Sequence, residues 1–149
     1  MTAAPELARF VPGHVLARLE RDEALWSEVD GTLCFIDISG FTALSERLAA
    51  KGRVGAEELT EVLSRVFGTM LDLVALRGGT LLKFGGDALL LLFEGPDHAM
   101  QAASAAVEMR AALRKAADVP TSVGKVALRM SVGLHSGSVH LFTLAGTHR

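Results

Sequence analysis

The amino-acid sequence predicts an α+β fold, in which helices pack on one sheet. Three observations support this class. Short apolar runs typical of strands alternate with segments of helical periodicity, glycine-containing turns separate them, and 50% of the 149 residues are hydrophobic while 21% are charged. This length and composition suffice for one domain with a hydrophobic core and argue against a disordered chain. The predicted order of elements is β-α-α-β-β-α-β-β.

The clearest helix is predicted over residues 56–79, where apolar residues recur at helical spacing and a Gly-Gly pair ends the pattern. A shorter helix over residues 40–50 has one apolar face, and residues 51–55 are predicted to separate the two helices. An alanine-rich helix is predicted over residues 97–117, and its small side chains favour close packing on a sheet.

The strands are predicted from runs rich in β-branched, aromatic or leucine residues, or from alternation of apolar and polar residues. They are residues 32–37, 80–84, 88–93, 126–135 and 139–144. Gly-Gly-Asp at 85–87 predicts a hairpin with Gly-Gly in its turn, and Ser-Gly-Ser at 136–138 predicts a turn between the last two strands. The β-α-β-β-α-β core of this order matches the ferredoxin-like pattern.

Residues 1–30 are predicted to form a helical preamble of one or two short helices, because apolar residues are spaced helically on both sides of a Pro-Gly break. Residues 31–149 are predicted to form the main domain. Trp26, near the end of the preamble, is interpreted as a packing residue.

Composition excludes several classes of function. The net charge of −2, without a long run of one sign, gives no electrostatic basis for binding nucleic acid or a membrane surface. The longest clean apolar run, residues 88–93, is far shorter than a membrane span, and charged residues interrupt any signal-peptide core. The single cysteine, Cys34, fits a reducing compartment and is interpreted as a core residue. We therefore expect a cytoplasmic protein without a membrane span.

Two aspartates stand out as candidate metal ligands. Asp37 ends the first strand directly after an apolar run, and a buried carboxylate without a partner is costly. Asp87 lies in the predicted hairpin turn, where the alternative is an ordinary turn residue. If the two strands are neighbours, both carboxylates meet at one end of the sheet, where they could hold Mg²⁺ together with substrate phosphates. Two such ions can activate an attacking oxygen and stabilise a leaving one.

Two further features suggest nucleotide binding, each with a plain alternative. Residues 38–42 lead from a strand into a helix, and backbone N–H groups at a helix start favour phosphate, although such turns are common. Lys83 is either a surface residue of a strand or a donor to a nucleotide base or phosphate. The histidines lack a zinc-ligand spacing.

Three segments together resemble the class III nucleotidyl cyclase catalytic domain, the adenylate/guanylate cyclase family, over about Thr32 to the end of the chain. The segments are "FIDISGFT" (35–42), "GGTLLKFGGDALLLLF" (78–93) and "RMSVGLHSGSV" (129–139). The resemblance implies that Asp37 and Asp87 hold two Mg²⁺ or Mn²⁺ ions, and that Ile38 adds its backbone carbonyl. By the same resemblance, Lys83 matches the residue that reads adenine, and the turn that covers the phosphates is matched by Gly40, Phe41 and Thr42.

The activity implied by this resemblance is conversion of ATP, or less favourably GTP, to a 3′,5′-cyclic nucleotide and pyrophosphate. The ribose 3′-hydroxyl would attack the α-phosphate in line. Family members usually work as dimers, so a homodimer or a partner cyclase domain is expected, with each site built from both chains.

The resemblance also implies a further segment with an asparagine and an arginine of the active site, and the chain ends at Arg149 before it. We therefore expect a fragment or a natural truncation that is weakly active or inactive alone. The alternative is a non-catalytic cyclase-like module that senses nucleotides or dimerises within a larger regulator. A diguanylate cyclase, which shares the Gly-Gly-Asp turn, is disfavoured, because Ala88 and Leu89 stand where an acid and an aromatic residue are typical.

Overall fold

The computed structural model describes residues 26–116, 120–125 and 128–142. These residues form a four-stranded antiparallel sheet, a separate two-stranded hairpin and three helices. The strands are β1 (Trp26–Ser39), β2 (Gly79–Gly85), β3 (Ala88–Glu94), β4 (Pro120–Thr121), β5 (Gly124–Lys125) and β6 (Arg129–Phe142). The helices are α1 (Phe41–Ala49), α2 (Arg53–Leu76) and α3 (His98–Ala116).

The four-stranded sheet has the order β2-β3-β1-β6, and every neighbouring pair is antiparallel. The long strand β1 is central, because it pairs with β3 on one side and with β6 on the other. This arrangement confirms the predicted α+β class and its ferredoxin-like core. In the described part of the chain, no helix is long and apolar enough to cross a membrane.

The hydrophobic core lies between the helices and one face of the sheet. Cys34, Ile36 and Ile38 of β1 are fully buried there, because alternate residues of a strand point to the same face. Each helix adds one buried stripe, as its sequence spacing predicts. These stripes are Phe41, Leu44 and Leu48 in α1, Val62, Val66, Met70 and Val74 in α2, and Ala102, Ala105, Met109 and Leu113 in α3.

Helix α2 begins three residues earlier than predicted. The break between α1 and α2 is only the three residues 50–52, where Gly52 has a φ of +65°. Gly55, read as part of the break, lies buried inside α2 where the helix crosses the end of α1. A Cβ atom built on Gly55 would lie 1.8 Å from the carbonyl oxygen of Leu48. The glycine therefore allows close approach of two backbones and does not end a helix.

The predicted turn at residues 136–138 is wrong. β6 is one continuous strand, and it pairs with β1 at every position from Trp26 opposite Phe142 to Ser39 opposite Arg129. The Ser-Gly-Ser segment remains extended because β1 is equally long and offers a partner for each residue. β1 itself begins at Trp26, so the expected boundary between residues 30 and 31 falls inside this strand.

The β2–β3 turn and the environment of Trp26 differ from the predictions, and other predictions fall outside the described residues. The hairpin between β2 and β3 turns at Gly86 and Asp87, with Gly86 at a φ of +70°, whereas Gly85 is the last residue of β2. Trp26 is half exposed and stacks on the His140 ring, with 6.1 Å between the ring centroids. The expected helices before residue 26 and the strand residues 143 and 144 lie outside the described residues.

The hairpin β4–β5 was not predicted, and it is held against α1 and α2 by side-chain hydrogen bonds. Arg47 of α1 donates to the carbonyl oxygen of Val123. Glu58 of α2 accepts from the backbone N–H of Ser122 at 2.7 Å and from its hydroxyl at 2.5 Å. The side-chain and backbone hydrogen bonds from Ser122 lower the pKa of Glu58.

Candidate active site

The two aspartates lie at the same end of the sheet, because β1 and β3 are neighbours. Asp37 is opposite Ala88, the first residue of β3, and Asp87 immediately precedes it. The backbone N–H of Ile38 donates to the carbonyl oxygen of Asp87 at 3.2 Å. Both aspartates are half-buried. The topology thus provides the juxtaposition on which the predicted metal site depends.

Asp37 points to the face of the sheet away from the helices, since its neighbours Ile36 and Ile38 are buried in the core. We call this the outer face and define it by Leu33, Phe35, Asp37 and Leu90. A carboxylate on this face avoids the desolvation that a core position would impose. The position of Asp37 after an apolar run therefore follows from strand alternation.

The two carboxylates are suited to bind a hard divalent cation, provided that other oxygens complete its coordination. Neither forms an ion pair within the described residues, which also hold no group of three or more His, Cys, Asp or Glu that could bind a metal. Mg²⁺ is commonly held by one or two carboxylates together with water and substrate phosphates. The residues present fit such an ion when a nucleotide supplies the remaining oxygens.

The turn between β1 and α1 exposes backbone donors beside Asp37. Gly40 has a φ of +106° and precedes Phe41, the first residue of α1. The N–H groups of a helix's first turn have no intrahelical partner, and here no side chain caps the helix start. Phe41 is buried and anchors the turn in the core, whereas Thr42 is exposed. This geometry leaves backbone donors available to an anion.

Lys83 lies on the outer face of the edge strand β2, where it is exposed. Its partner across the ladder is Leu90, and the partner of Leu90 on β1 is Phe35. Phe35 is 52% exposed, so the row presents an ammonium group beside apolar surface. Two strand spacings, about 10 Å, separate the backbones of Lys83 and Phe35.

Sequence reasoning missed three residues that share this end or this face. Phe35 is predicted only as a residue of a buried strand, but it is 52% exposed on the outer face. Ser131 of β6 is opposite Asp37, and Arg129 is opposite Ser39, which precedes the Gly40 turn. The alternation of apolar and polar residues along 126–135 predicts that Arg129 and Ser131 share one face of a strand. Only the pairing of β6 with β1 places both residues next to the candidate metal ligands.

Comparisons with known proteins point to one family. The sequence profile of the adenylate and guanylate cyclase catalytic domain matches residues 27–148. Adenylate cyclase type 10 of Rattus norvegicus is 45% identical over 67 residues, which are 44% of this chain and 4% of that protein. Adenylate cyclase 1 of Rhizobium meliloti (strain 1021) is 28% identical over 130 residues, which are 85% of this chain and 18% of that protein. The chain therefore spans a small part of the curated relatives it matches.

A solved structure agrees with these matches. The crystal structure of the guanylyl cyclase Cya2 superposes with a TM-score of 0.69 at 32% sequence identity. The superposition covers 85% of this chain and 63% of that one.

Proposed function

This chain belongs to the family of adenylate and guanylate cyclase catalytic domains, and we propose that it converts a nucleoside triphosphate to a 3′,5′-cyclic nucleotide and pyrophosphate. One observation carries the proposal: Asp37 and Asp87 occupy the same end of neighbouring strands, joined by the bond from the Ile38 N–H to the Asp87 carbonyl oxygen. In the reaction, the ribose 3′-oxygen forms a bond to the α-phosphorus and loses its proton. The bond from that phosphorus to the pyrophosphate oxygen breaks.

Asp37 and Asp87, with the backbone carbonyl of Ile38, would hold two divalent ions, Mg²⁺ or Mn²⁺. When bound, such ions supply positive charge that neutralises the triphosphate and acidifies the 3′-hydroxyl. The carboxylates meet this requirement because both are half-buried at one end of the sheet and neither is paired with a cation among the described residues. Replacing either one removes charge from the centre without disturbing the core.

The triphosphate is bound, in this proposal, by the turn that follows Asp37. The uncapped first turn of α1, held by Gly40 and Phe41, directs backbone N–H groups towards the same end of the sheet. Arg129 adds an exposed guanidinium opposite Ser39. A guanidinium can donate two parallel hydrogen bonds to a phosphate, which orients it as well as attracting it.

The base is read by Lys83, which we propose favours ATP over GTP. An ammonium group can donate to a purine ring nitrogen, but it has no acceptor for the donors of guanine. The apolar side chains of Leu90 and Phe35, next to Lys83 on the outer face, suit the face of a purine. In a homodimer, each composite site would combine Asp37 of one chain with Lys83 of the other.

We place this reaction in the cytoplasm. The single cysteine, Cys34, is free and buried, as expected for a protein of a reducing compartment.

The test compares Asp37→Asn and Asp87→Asn with the parent chain. Both variants keep the side-chain shape and remove the charge. Calorimetry with Mn²⁺ and a non-hydrolysable ATP analogue is expected to show binding to the parent that falls at least about tenfold in each variant. Asp72→Asn, an exposed position on α2, is the matched control and is expected to bind like the parent.

A cyclic-nucleotide assay with ATP and GTP accompanies the titration and is expected to give more cyclic AMP than cyclic GMP. Unchanged Mn²⁺ affinity in both active-site variants would refute the metal assignment. Because the chain alone is expected to be weakly active or inactive, the assay also uses a chain extended past Arg149 by a segment with the expected asparagine and arginine. Metal-dependent nucleotide binding without cyclic product from either chain would favour the alternative, a non-catalytic module that senses nucleotides.

A further inference from the structure

Three phenylalanine rings form a continuous series beneath the candidate active site. The rings of Phe41 and Phe67 are stacked, with centroids 5.7 Å apart and an interplanar angle of 24°. Phe67 and Phe84 meet edge to face, also with centroids 5.7 Å apart. Both geometries are favourable for aromatic pairs. We call this series the phenylalanine chain.

The two ends of the phenylalanine chain belong to the two segments that carry the candidate site. Phe41 is the first residue of α1 and directly follows Gly40 in the turn after Asp37. Phe84 lies between Lys83 and Gly85 on β2, just before the turn that contains Asp87. Phe67 belongs to neither segment, since it lies on α2 and contacts both from the helix side of the sheet.

The two arms of the hairpin that carries Asp87 and Lys83 are supported unequally: β3 pairs with β1 along its whole length, whereas β2 has a partner on one side only. β2 is an edge strand, and its pairing with β3 shifts register between Leu81 and Lys83. Phe84 is 48% exposed, and its ring contacts α2 through Phe67. The ring of Phe67 therefore supports the hairpin from the helix side of the sheet.

We propose that Phe67 is a positioning residue, whose ring fixes the start of α1 relative to the β2 arm of the hairpin and thereby, together with the β1–β3 pairing, holds the separation of Asp37 and Asp87. The proposal rests on the proposed function only in that these aspartates bind the metal ions. Phe67 acts through its ring contacts with Phe41 and Phe84. Small displacements of metal ligands cost binding steeply, so the loss of one ring should be measurable at the site.

The experiment compares Phe67→Leu with Leu71→Ala, one turn further along α2. Both residues are partly buried against the same core, so both variants lose packing, but only Phe67→Leu breaks the phenylalanine chain. Hydrogen exchange of the Ile38 amide, measured by NMR, reports the bond to Asp87 directly. Calorimetry with Mn²⁺ and an ATP analogue reports the aspartates.

We expect the Ile38 amide to exchange about fivefold faster in Phe67→Leu than in Leu71→Ala, after correction for global stability. We expect the Mn²⁺ affinity of Phe67→Leu to be about tenfold weaker than that of Leu71→Ala. Phe67→Tyr keeps the ring at a half-buried position and should restore both values.

Equal exchange and equal Mn²⁺ affinity in Phe67→Leu and Leu71→Ala would overturn the inference. Faster exchange with unchanged Mn²⁺ affinity would also overturn it, because Phe67 would then have only a structural role. If the parent chain binds no Mn²⁺, the proposed function fails. The exchange of Ile38 alone then decides whether the ring fixes the two segments.

Discussion

Successive residues of β1 have opposite environments, because the side chains of a strand alternate between its two faces. Cys34, Ile36 and Ile38 lie in the core, whereas Phe35 and Asp37 lie on the outer face. One shift of register would bury Asp37 and expose the core residues. The pattern that makes Asp37 available as a metal ligand is therefore the same pattern that seals Cys34 inside the protein.

Burial raises the pKa of the Cys34 thiol to about 11, because the core disfavours a thiolate. In the unfolded chain the thiol ionises near its ordinary value of 9.0. Between about pH 9 and pH 11 the folded state retains a proton that the unfolded state has lost. The free energy of unfolding is therefore expected to fall across this window, by roughly 2–3 kcal/mol from this group.

Urea unfolding at a series of pH values, for the parent and for Cys34→Ala, measures this contribution as the difference between the two pH dependences. A native thiol that reacts quickly with iodoacetamide at pH 8 would contradict the burial of Cys34.

A helix or strand could be predicted where a local sequence pattern determines it. It could be predicted less well where pairing with a distant strand determines it. The apolar stripe of α2 located that helix to within three residues at each end. The aspartates could be identified as neighbours only on the condition that β1 pairs with β3. The sequence pattern places residues 26–30 in the helical preamble and Ser-Gly-Ser in a turn. Both are extended because they pair across the β1–β6 ladder: residues 26–30 lie opposite residues 138–142, and residues 136–138 lie opposite residues 30–32. No local signal in the sequence reports this pairing.

Close packing of α1 on α2 depends on Gly55, as a pair of glycine substitutions can show. Gly55→Ala would drive a methyl group into the Leu48 carbonyl, so it is expected to destabilise the fold by roughly 2–3 kcal/mol. Gly68→Ala in the same helix meets no atom within 4 Å and is expected to stabilise it by about 0.5–1 kcal/mol. Thermal unfolding of both variants is the measurement. Equal effects would mean that helix propensity, and not the helix crossing, governs position 55.

For the whole molecule, the outer face is the surface that the proposed homodimer would use. Phe35 lies at the centre of the outer face and is 52% exposed, and Leu33 and Leu90 beside it are only partly buried. An apolar area of this kind on a sheet commonly marks an interface. In such a dimer, the aspartates of one chain and Lys83 of the other chain would contribute to the same composite site.

Phe35→Glu is expected to weaken the dimer at least about tenfold, because it introduces a charge at the centre of this interface. Val54→Glu replaces a residue of similar exposure at the start of α2, and it is expected to leave the association unchanged. Sedimentation equilibrium of the parent and both variants measures the dissociation constants. A dimer that is insensitive to Phe35→Glu would place the interface elsewhere.

The pairing of Trp26 with Phe142 has a mechanical consequence. The chain enters β1 and leaves β6 at adjacent points, so a force that draws these points apart acts along the hydrogen bonds of the ladder. The bonds then open one after another, as in a zipper, and the load is never shared by the whole strand. The ribbon from Trp26 to Asp30 is held by β6 alone among the described strands and would yield first. Asp37 lies about 36 Å from Trp26 along the strand, so the force would reach it only after the pairs before it had opened.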